Sequence, residues 1–329
     1  MQKNCLNARL HCSFWNVNGL ARKLCDTDFI EIVQSHDIII LTETWISKNS
    51  NINLDIKGYC CDHLFGNKSK HTKKGRFSGG ISIYFRQTLK DKIQVIEKNQ
   101  SGILWFKICN SMFNFESDLY ICSVYIPPKN SKVTTSLDPD VDLFETIETD
   151  IEKYQQCGKI LVTGDFNART SNINDFTIYD TYLDQNVHVD MNENTIPRAN
   201  MDHVIDAYGQ RLIRLCKSTD LLIANGRLLN DAGIGDFTFY NEKGCSVVDY
   251  LLLNQYDFNL IESFDILMPN EFSDHCSISF SIKRKAVRCK SRDPEPECQR
   301  FIVWDDTRVN DLLTSYMVNV RSWNEYTII

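Results

Sequence analysis

The sequence predicts an α/β protein in which two mostly antiparallel β-sheets pack face to face and helices cover the outer faces. Three observations support this class. Short apolar runs rich in Ile, Val, Phe and Tyr recur along the chain and end at polar turns, as strands do. A smaller number of stretches show helical spacing. Strands and helices do not alternate cleanly, which argues against a doubly wound parallel sheet and favours two packed sheets.

The predicted strands extend from the start of the chain to about residue 282. In chain order they are ARLHCSFWNV, HDIIILTET, GGISIYF, GILWFKI, DLYICSVYI, KILVTGDF, DLLIANG, FTFY, SVVDYLLLN and CSISFSI. The runs FTFY and CSVV are separated only by NEKG, and this spacing predicts a β-hairpin with a short loop.

Helical patterns lie between some of these strands. The stretch DTDFIEIVQSH opens with acidic residues, which favour a helix start. The stretch DPDVDLFETIETDIEKYQQCG predicts a helix that stops at Gly158, and AYGQRLIRLCKSTD repeats its spacing. The apolar residues of the two patterns are Val141, Phe144, Ile147, Ile151 and Tyr154, then Leu212, Ile213, Leu215 and Cys216.

The composition of the 329-residue chain, 43% hydrophobic and 24% charged, is that of an ordinary globular protein. A formal net charge of −7 excludes nucleic-acid binding through bulk charge but allows a local basic patch. We find no signal-peptide pattern and no apolar run long enough to span a bilayer. The 13 cysteines show neither CxxC nor zinc-type spacing. We therefore expect an intracellular chain with free thiols. We expect the protein neither to be secreted nor to have a membrane partner. The sequence makes no prediction of the oligomeric state.

The strand pattern predicts one domain over residues 8–283. Residues 284–300 are basic at first and then rich in Pro and Glu, which is typical of a linker. Residues 301–329 predict a short strand and a helix, and we interpret them as the start of a following region of unknown function.

Polar side chains stand where several predicted strands end. Asn16 lies in FWNVNGL, Glu43 follows the apolar run DIIIL, and Tyr125 precedes a double proline that must end its strand. Each has an ordinary alternative explanation, which is a rim or turn position for Asn16 and Glu43 and packing for Tyr125. A carboxylate at the end of a buried strand is costly, however, unless it is paired or holds a cation.

The carboxyl-terminal half of the pattern adds more acidic residues. Asp165 and Asn167 are two apart in VTGDFNAR, so they share one face if the chain is extended, although an Asx turn is the alternative. Asp249 lies in the middle of the predicted strand SVVDYLLLN, where an aspartate needs a specific partner. Asp274 and His275 precede CSISF, and a polar turn is the alternative there.

Together these residues predict a site for attack on a phosphate ester. The ends of strands in two packed sheets can converge on one rim, where crowded carboxylates repel each other unless a hard cation neutralises them. Oxygen ligands suit Mg²⁺, with Mn²⁺ as an alternative ion. A histidine held by a carboxylate is pushed toward its charged form and can donate to an anion.

The motifs FWNVNGL, LTETW, VYIPP, GDFNAR, SVVDY and SDH, in this order, resemble the endonuclease/exonuclease/phosphatase family. The resemblance covers about residues 8–283 and implies a DNase I-like four-layered α/β sandwich. The stretches GDFNART and FTFYNEKGCSVVDYLLLN look most like the apurinic/apyrimidinic-type endonuclease domain of LINE-type non-LTR retrotransposons. Asn18 stands where repair enzymes commonly have Asp and retrotransposon versions have Asn, which favours the retroelement interpretation.

The resemblance implies roles for these residues. Glu43, with help from Asn16, would hold Mg²⁺, and Asp274 would complete the metal environment. Asp165 would orient or deprotonate the attacking water, with Asn167 beside it.

The same resemblance implies how the phosphate is held. Tyr125 would hydrogen-bond the phosphate, and His275, oriented by Asp249, would donate to a non-bridging oxygen. Ser246 and Asn18 would contact the substrate. The implied product is a DNA nick with 3′-hydroxyl and 5′-phosphate ends, which a reverse transcriptase domain located after this one would extend in the nucleus.

A basic segment offers further contacts to DNA. The residues Lys68, Lys70, Lys73, Lys74 and Arg76 lie within nine positions, and the alternative is a solvated loop. We expect Lys73, Lys74 and Arg76 to contact phosphates and the short hairpin to give only modest sequence preference.

Two alternatives to this function remain open from the sequence. The chain could be another phosphoesterase of the same fold, such as an abasic-site repair nuclease, a deadenylase or an inositol-phosphate phosphatase. It could also be an inactive fragment derived from a retroelement that binds DNA or protein without cutting.

Overall fold

The structure is a computed structural model and describes residues 9–67, 77–129, 142–177 and 197–285. Most of the predicted linker and all of the region 301–329 lie outside the described residues, so the domain boundaries stay predictions.

The described residues form two large sheets, a small hairpin and three α-helices. The strands are β1 (Arg9–Asn16), β2 (Ile38–Thr42), β3 (Tyr59–Leu64), β4 (Ile81–Arg86), β5 (Ile93–Asn99), β6 (Ile103–Ile108), β7 (Asp118–Tyr125), β8 (Gly158–Asp165), β9 (Leu221–Ile223), β10 (Phe239–Asn241), β11 (Gly244–Ser246), β12 (Asp249–Asn254), β13 (Ile261–Ile266) and β14 (Ile278–Lys283). The helices are α1 (Thr27–Gln34), α2 (Leu143–Gln155) and α3 (Ala207–Thr219).

Each large sheet has six strands and is antiparallel except for one central pair. The first sheet has the order β13-β14-β1-β2-β4-β3, and β1 runs parallel to β2. The second has the order β5-β6-β7-β8-β12-β9, and β7 runs parallel to β8. In each case a helix lies between the two parallel strands along the chain, α1 in the first sheet and α2 in the second. The prediction of two mostly antiparallel β-sheets is thus confirmed.

Three apolar clusters define four layers. The largest cluster lies between the sheets and joins residues such as Phe14 and Ile83 of the first sheet to Phe106 and Leu251 of the second. A second cluster packs α2 and α3 on the outer face of the second sheet, and a third packs α1 on the outer face of the first. The helices therefore lie outside, as predicted, and the fold is an α/β sandwich of the DNase I type.

Aspartate side chains begin all three helices. The Asp26, Asp142 and Asp206 carboxylates accept hydrogen bonds from backbone N–H groups of the first turns of α1, α2 and α3. The predicted stop of α2 at Gly158 is wrong, because the helix ends at Gln155 and Gly158 is the first residue of β8. A side chain at Gly158 would place its Cβ 2.2 Å from the Asp118 carbonyl oxygen, so close strand packing requires this glycine.

The predicted hairpin is confirmed by β10 and β11, which pair antiparallel from Phe239 opposite Ser246 to Asn241 opposite Gly244. None of the helices in the described ranges combines the length and apolarity needed to cross a bilayer.

Candidate active site

The parallel pair in each sheet brings polar side chains to one rim of the sandwich. In the first sheet, β1 ends at Asn16, and Glu43 directly follows β2. In the second sheet, β7 and β8 end side by side at Tyr125 and Asp165, which are register partners. Because parallel strands carry their carboxyl ends to the same edge, four predicted site residues reach this rim.

Asp249 faces Asp165 directly across the antiparallel pair β8–β12. The prediction that Asp249 lies in the middle of a strand is wrong, because β12 begins at this residue and the preceding Val247 and Val248 lie outside it. The backbone N–H groups of Val248 and Asp249 both donate to Thr238 Oγ1 at 3.0 Å. This hydroxyl ends the regular pairing and fixes Asp249 at the rim.

His275 is held by contacts from both sides of its backbone. Its N–H donates to Ser273 Oγ at 3.1 Å, and its carbonyl oxygen accepts a bond of 2.8 Å from Trp15 Nε1. The imidazole packs against the Phe239 ring with 4.7 Å between ring centroids. Since β14 begins only at Ile278, His275 lies outside the strand and these contacts fix the direction of its side chain.

The imidazole of His275 lies between the two facing carboxylates. Its Nδ1 bonds to Asp249 Oδ2 at 2.8 Å, while its Nε2 lies 4.0 Å from Asp165 Oδ2. The bond to Asp249 leaves Nε2 as the nitrogen that points into the site. The structure thus brings together the three residues that the sequence assigned to proton and phosphate chemistry.

Asn16 connects this group to the first sheet. Its side-chain Nδ2 donates to Asp165 Oδ2 at 2.9 Å and lies 3.3 Å from His275 Nε2. Its Oδ1 accepts a bond from the Asn18 backbone N–H at 3.1 Å. Asn16 is only 4% exposed, so these buried contacts orient its amide and leave it little freedom.

Asn167 reaches the same carboxylate through a turn. Its backbone N–H donates to Asp165 Oδ1 at 2.9 Å and its Nδ2 donates to Asp165 Oδ2 at 3.1 Å. The extended chain that the sequence suggested for this pair is wrong, because Asn167 has φ +46° and closes an Asx turn. The turn and the shared site are therefore both present.

Burial and charge shift the protonation of this group. Burial raises the pKa of Asp165 well above its usual range, and the neighbouring Asp249 carboxylate raises it further. Burial alone would lower the pKa of His275, but the charge of Asp249 and its hydrogen bond, with Asp165 and Asp274, raise it to about 9. His275 is therefore an imidazolium at neutral pH, and Asp165 is able to take up a proton there.

Glu43 and Tyr125 form a second part of the rim. The Tyr125 hydroxyl donates to Glu43 Oε1, and Glu43 Oε2 accepts from Trp45 Nε1 and, at 3.1 Å, from the Gly79 N–H. Glu43 has φ +54°, a left-handed conformation that costs energy for a residue other than Gly, Asn or Asp. Its neighbours therefore hold the carboxylate in place against local backbone preference.

Asn18 and Asp274 are paired at a more exposed position. Asn18 Nδ2 donates to Asp274 Oδ1 at 3.1 Å, and the ammonium group of Lys23 lies close to Asp274. Lys23 also donates to the carbonyl oxygens of Val17 and Asn18. Burial lowers the pKa of Lys23 to about 8, although Asp274 opposes this effect.

The carboxylate oxygens at the rim fit a hard divalent cation. Within the described ranges, Asp165, Asp249 and His275 place ligand atoms within 4.8 Å of one another, whereas the predicted ligands Glu43 and Asp274 lie outside this trio. Asp249 Oδ1 is buried and has no hydrogen-bond partner in the structure. Among the described residues at the rim, the carboxylates of Glu43, Asp165, Asp249 and Asp274 outnumber the cations of His275 and Lys23, so negative charge is in excess. A cation bound by oxygen atoms would offset that excess.

A cavity of about 310 Å³ opens beside His275 and Asn167. Ser246 lines it, as the sequence suggested for a substrate contact. Sequence reasoning missed most of the other lining residues, among them Lys129, Arg169, Tyr208 and Phe239. Arg169 stands in the quoted motif GDFNAR and Phe239 in the predicted hairpin, so both were visible as parts of motifs but not as parts of the site.

The basic segment that includes Lys73, Lys74 and Arg76 lies outside the described residues. Its contact with DNA stays a prediction.

Comparisons with known proteins agree with this fold. The endonuclease/exonuclease/phosphatase family matches residues 13–275. A search of curated proteins found no match. Among solved structures, the AP endonuclease LMAP from Leishmania major is 13% identical with a TM-score of 0.59, and the alignment covers 84% of this chain and 88% of that one.

Two further solved structures are similar to this chain. The 3′-5′ exonuclease NExo from Neisseria meningitidis is 14% identical with a TM-score of 0.53, covering 83% of this chain and all of the other. The endonuclease domain of TRAS1, a telomere-specific non-LTR retrotransposon, is 15% identical with a TM-score of 0.48, covering 84% and 98%. At these identities the LMAP and NExo structures show the fold alone.

The family match covers the residues that form the rim, from Asn16 at the end of β1 to His275. The chain belongs to the endonuclease/exonuclease/phosphatase family.

Proposed function

We propose that the protein is a Mg²⁺-dependent endonuclease that hydrolyses DNA phosphodiester bonds and leaves a nick with 3′-hydroxyl and 5′-phosphate ends. The observation that carries the proposal is the placement of His275 between Asp249, at 2.8 Å, and Asp165, at 4.0 Å, beside an open cavity. This arrangement supplies a proton acceptor and a cationic donor to the same small space, as hydrolysis of a phosphodiester requires.

Asp165 is the group that receives the proton of the attacking water. Asn16 and Asn167 donate to its carboxylate and fix its direction, while its raised pKa suits it to hold a proton near neutral pH. The water oxygen forms the new bond to phosphorus as the bond from phosphorus to the 3′ oxygen breaks. The released 3′ oxygen gains a proton from solvent.

His275 is the group that stabilises the charge on the phosphate. Its Nε2 donates to a non-bridging oxygen, and the Asp249 carboxylate on Nδ1 keeps the ring protonated and correctly turned. The Tyr125 hydroxyl, held by Glu43, is a second donor toward the phosphate. Preorganised donors of this kind stabilise the charge that develops in the transition state.

Glu43, Asn16 and Asp274 are the residues that would hold Mg²⁺, or Mn²⁺ in its place. The ion would supply a Lewis acid for the phosphate oxygens and the leaving 3′ oxygen. The excess of carboxylates at the rim supports a bound cation there, while the ligand atoms that lie within 4.8 Å of one another are those of Asp165, Asp249 and His275.

We further propose that the nick primes reverse transcription in a retroelement and that the protein acts in the nucleus. The order of motifs from FWNVNGL to SDH and the asparagine at position 18 support this. The 3′-hydroxyl would be extended by a reverse transcriptase domain that follows this one in the full-length element.

The test is a nicking assay on supercoiled plasmid with and without Mg²⁺. We expect the parent protein to nick, with ends that a DNA polymerase extends directly, and Asp165→Ala and His275→Ala to lose the activity. The exposed His203, changed to Ala, is the matched control and keeps it. Equal nicking by the parent and both site variants would overturn the mechanism. Release of phosphate from small esters without nicking would assign the protein to the phosphatases of this fold.

A further inference from the structure

The guanidinium of Arg169 is fixed at the edge of the cavity beside the site. Its Nε and Nη2 donate to the two oxygens of Asp202 at 2.7 and 2.6 Å. The Asp202 side chain is only 1% exposed, whereas that of Arg169 is 33% exposed. The buried Asp202 carboxylate therefore anchors the guanidinium of Arg169. Arg169 itself lines the cavity and presents its positive charge there.

Asp202 is itself immobilised by backbone donors. Its oxygens accept from the N–H of Val204 at 3.1 Å and from the N–H of Val247 at 3.2 Å. Val247 directly follows the cavity residue Ser246 and lies two residues before Asp249. Asp202 thus links the direction of Arg169 to the chain segment that leads to the carboxylate holding His275.

The backbone of Arg169 is equally constrained. Its N–H donates to Asp206 Oδ1 at 3.2 Å, and its carbonyl oxygen accepts from the Asp206 N–H at 3.1 Å. A Cβ at Gly209 in α3 would lie 1.7 Å from the Arg169 carbonyl oxygen, so the helix packs directly on this backbone. Main chain and side chain together preorganise the guanidinium.

The hydrogen bonds to Asp202 use the edge of the guanidinium formed by Nε and Nη2, and they leave a second edge available. Arginine has five N–H donors in a planar fork, and the edge formed by Nη1 and Nη2 still presents two parallel donors. Among the described residues, Asp202 is the only side chain recorded as accepting from this group. A free edge of this geometry matches a phosphate group, which arginine binds with two parallel hydrogen bonds.

We infer that Arg169 binds a backbone phosphate next to the scissile one and that Asp202 is the positioning residue that aims it. This inference rests on the proposed function and names a contact within the same site. Arg169, Asn167 and His275 line one cavity, so a phosphate at Arg169 and the scissile phosphate at His275 belong to one strand. Lys129 adds a second positive charge to that cavity. Contacts to phosphates fix the register of the strand, so Arg169 sets which bond reaches His275.

The experiment measures the affinity for an uncleaved DNA duplex without divalent metal, using Arg169→Gln and, as a charge-matched control, the exposed Arg214→Gln on α3. We expect about tenfold weaker binding for Arg169→Gln and a salt slope smaller by about 0.9, the value for one lost phosphate contact. Arg214→Gln keeps the parent affinity. Arg169→Lys, which retains the charge but not the fork, recovers only part of the loss.

A second measurement locates the phosphate. Short duplexes carry a neutral methylphosphonate at single positions along one strand, and the parent loses affinity at one position to which Arg169→Gln is insensitive. Loss at every position alike, or equal affinity of the parent and Arg169→Gln, overturns the inference.

Because removal of Arg169 leaves Asp202 buried without its counter-charge, the double variant Arg169→Gln/Asp202→Asn removes both charges. The inference is supported if this double variant is folded and loses DNA affinity and methylphosphonate position dependence as Arg169→Gln does. It is overturned if the double variant recovers the affinity and position dependence of the parent. Failure of the parent to nick plasmid under Mg²⁺ concerns the proposed function alone, because binding is measured without metal.

Discussion

The Asn16 side chain at the end of β1 donates a hydrogen bond of 2.9 Å to Asp165 at the end of β8, and this bond joins the two sheets at the active-site rim. Both residues are almost fully buried. The site is therefore built across the sandwich interface, and its geometry depends on how the two sheets are stacked.

Replacing this donor is expected to impair the reaction more than the fold. Asn16→Asp puts a further carboxylate against Asp165, where the lost bond to a buried charged group costs about 3 kcal/mol, or roughly 10²-fold in rate. The matched control is Asn230→Asp, because the exposed Asn230 also donates to an aspartate, Asp265 at 2.6 Å, away from the rim. Nicking rates are measured at saturating DNA. Equal losses for the two variants would contradict the role of Asn16.

Neutralising Asp249 is expected to lower the rate and shift its pH dependence. The pKa of His275, about 9, keeps the ring charged at neutral pH, and activity that needs the imidazolium falls as the pH rises through that value. Asp249→Asn removes the charge that raises this pKa, so the fall occurs at lower pH. The rate at neutral pH drops by on the order of 10² to 10⁴.

The control for this variant is Asp257→Asn, which removes a carboxylate that pairs with Lys159 near the start of β8. Its pH–rate profile is expected to overlay that of the parent. An unchanged alkaline limb in Asp249→Asn would rule out the imidazolium as the required form.

Chelation of divalent metal is expected to abolish nicking, and added Mg²⁺ to restore it. Glu43→Gln removes one charge from the proposed metal ligands, so the Mg²⁺ concentration for half-maximal rate rises about tenfold or more. The exposed Glu152→Gln on α2 keeps the parent requirement. A parent enzyme that nicks fully in excess EDTA would refute the metal assignment.

A buried ion pair outside the site is expected to control stability. Arg227 donates twice to Asp175 at 2.6 Å, and both side chains are at most 1% exposed. Arg227→Met leaves the Asp175 charge buried and lowers the free energy of unfolding by about 3–5 kcal/mol. Urea denaturation measures the change.

The comparison for this prediction is Lys153→Met, which removes an exposed partner of Glu97. Exposed pairs contribute at most about 1 kcal/mol, so this variant unfolds close to the parent midpoint. If Lys153→Met cost as much as Arg227→Met, burial would not be the deciding factor.

The strands that sequence reasoning missed combine an edge position with partial burial, whereas the edge strand β9, which was predicted, is fully buried. Central strands such as β2 and β12 are buried on both faces, and they appear as continuous apolar runs. The missed strands β3, β5 and β13 are all edge strands, and their faces are only partly buried. The sequence YCCDHL, for example, contains a single aliphatic residue, Leu64, and places Asp62 beside His63, so it lacks the apolar run on which the prediction relied.

Some residues of the candidate active site could be predicted from the sequence and others could not. Residues with strong chemical character at strand ends, such as Asp165 and His275, could be selected from the sequence. Thr238, Ser273 and Asp202 could not, because each acts only through contacts with residues distant in the chain. Whether a hydroxyl or carboxylate becomes such a support depends on strand register, which local patterns do not reveal.

The position of β14 between β13 and β1 has a consequence for synthesis on the ribosome. The first sheet lacks the strand between β13 and β1 until the segment that begins at Ile278 has emerged, and His275 lies three residues before that segment. A growing chain therefore lacks both the complete first sheet and His275 until almost all of the sandwich has been translated. The order of strands therefore delays assembly of the rim until the chain is long enough to form both sheets.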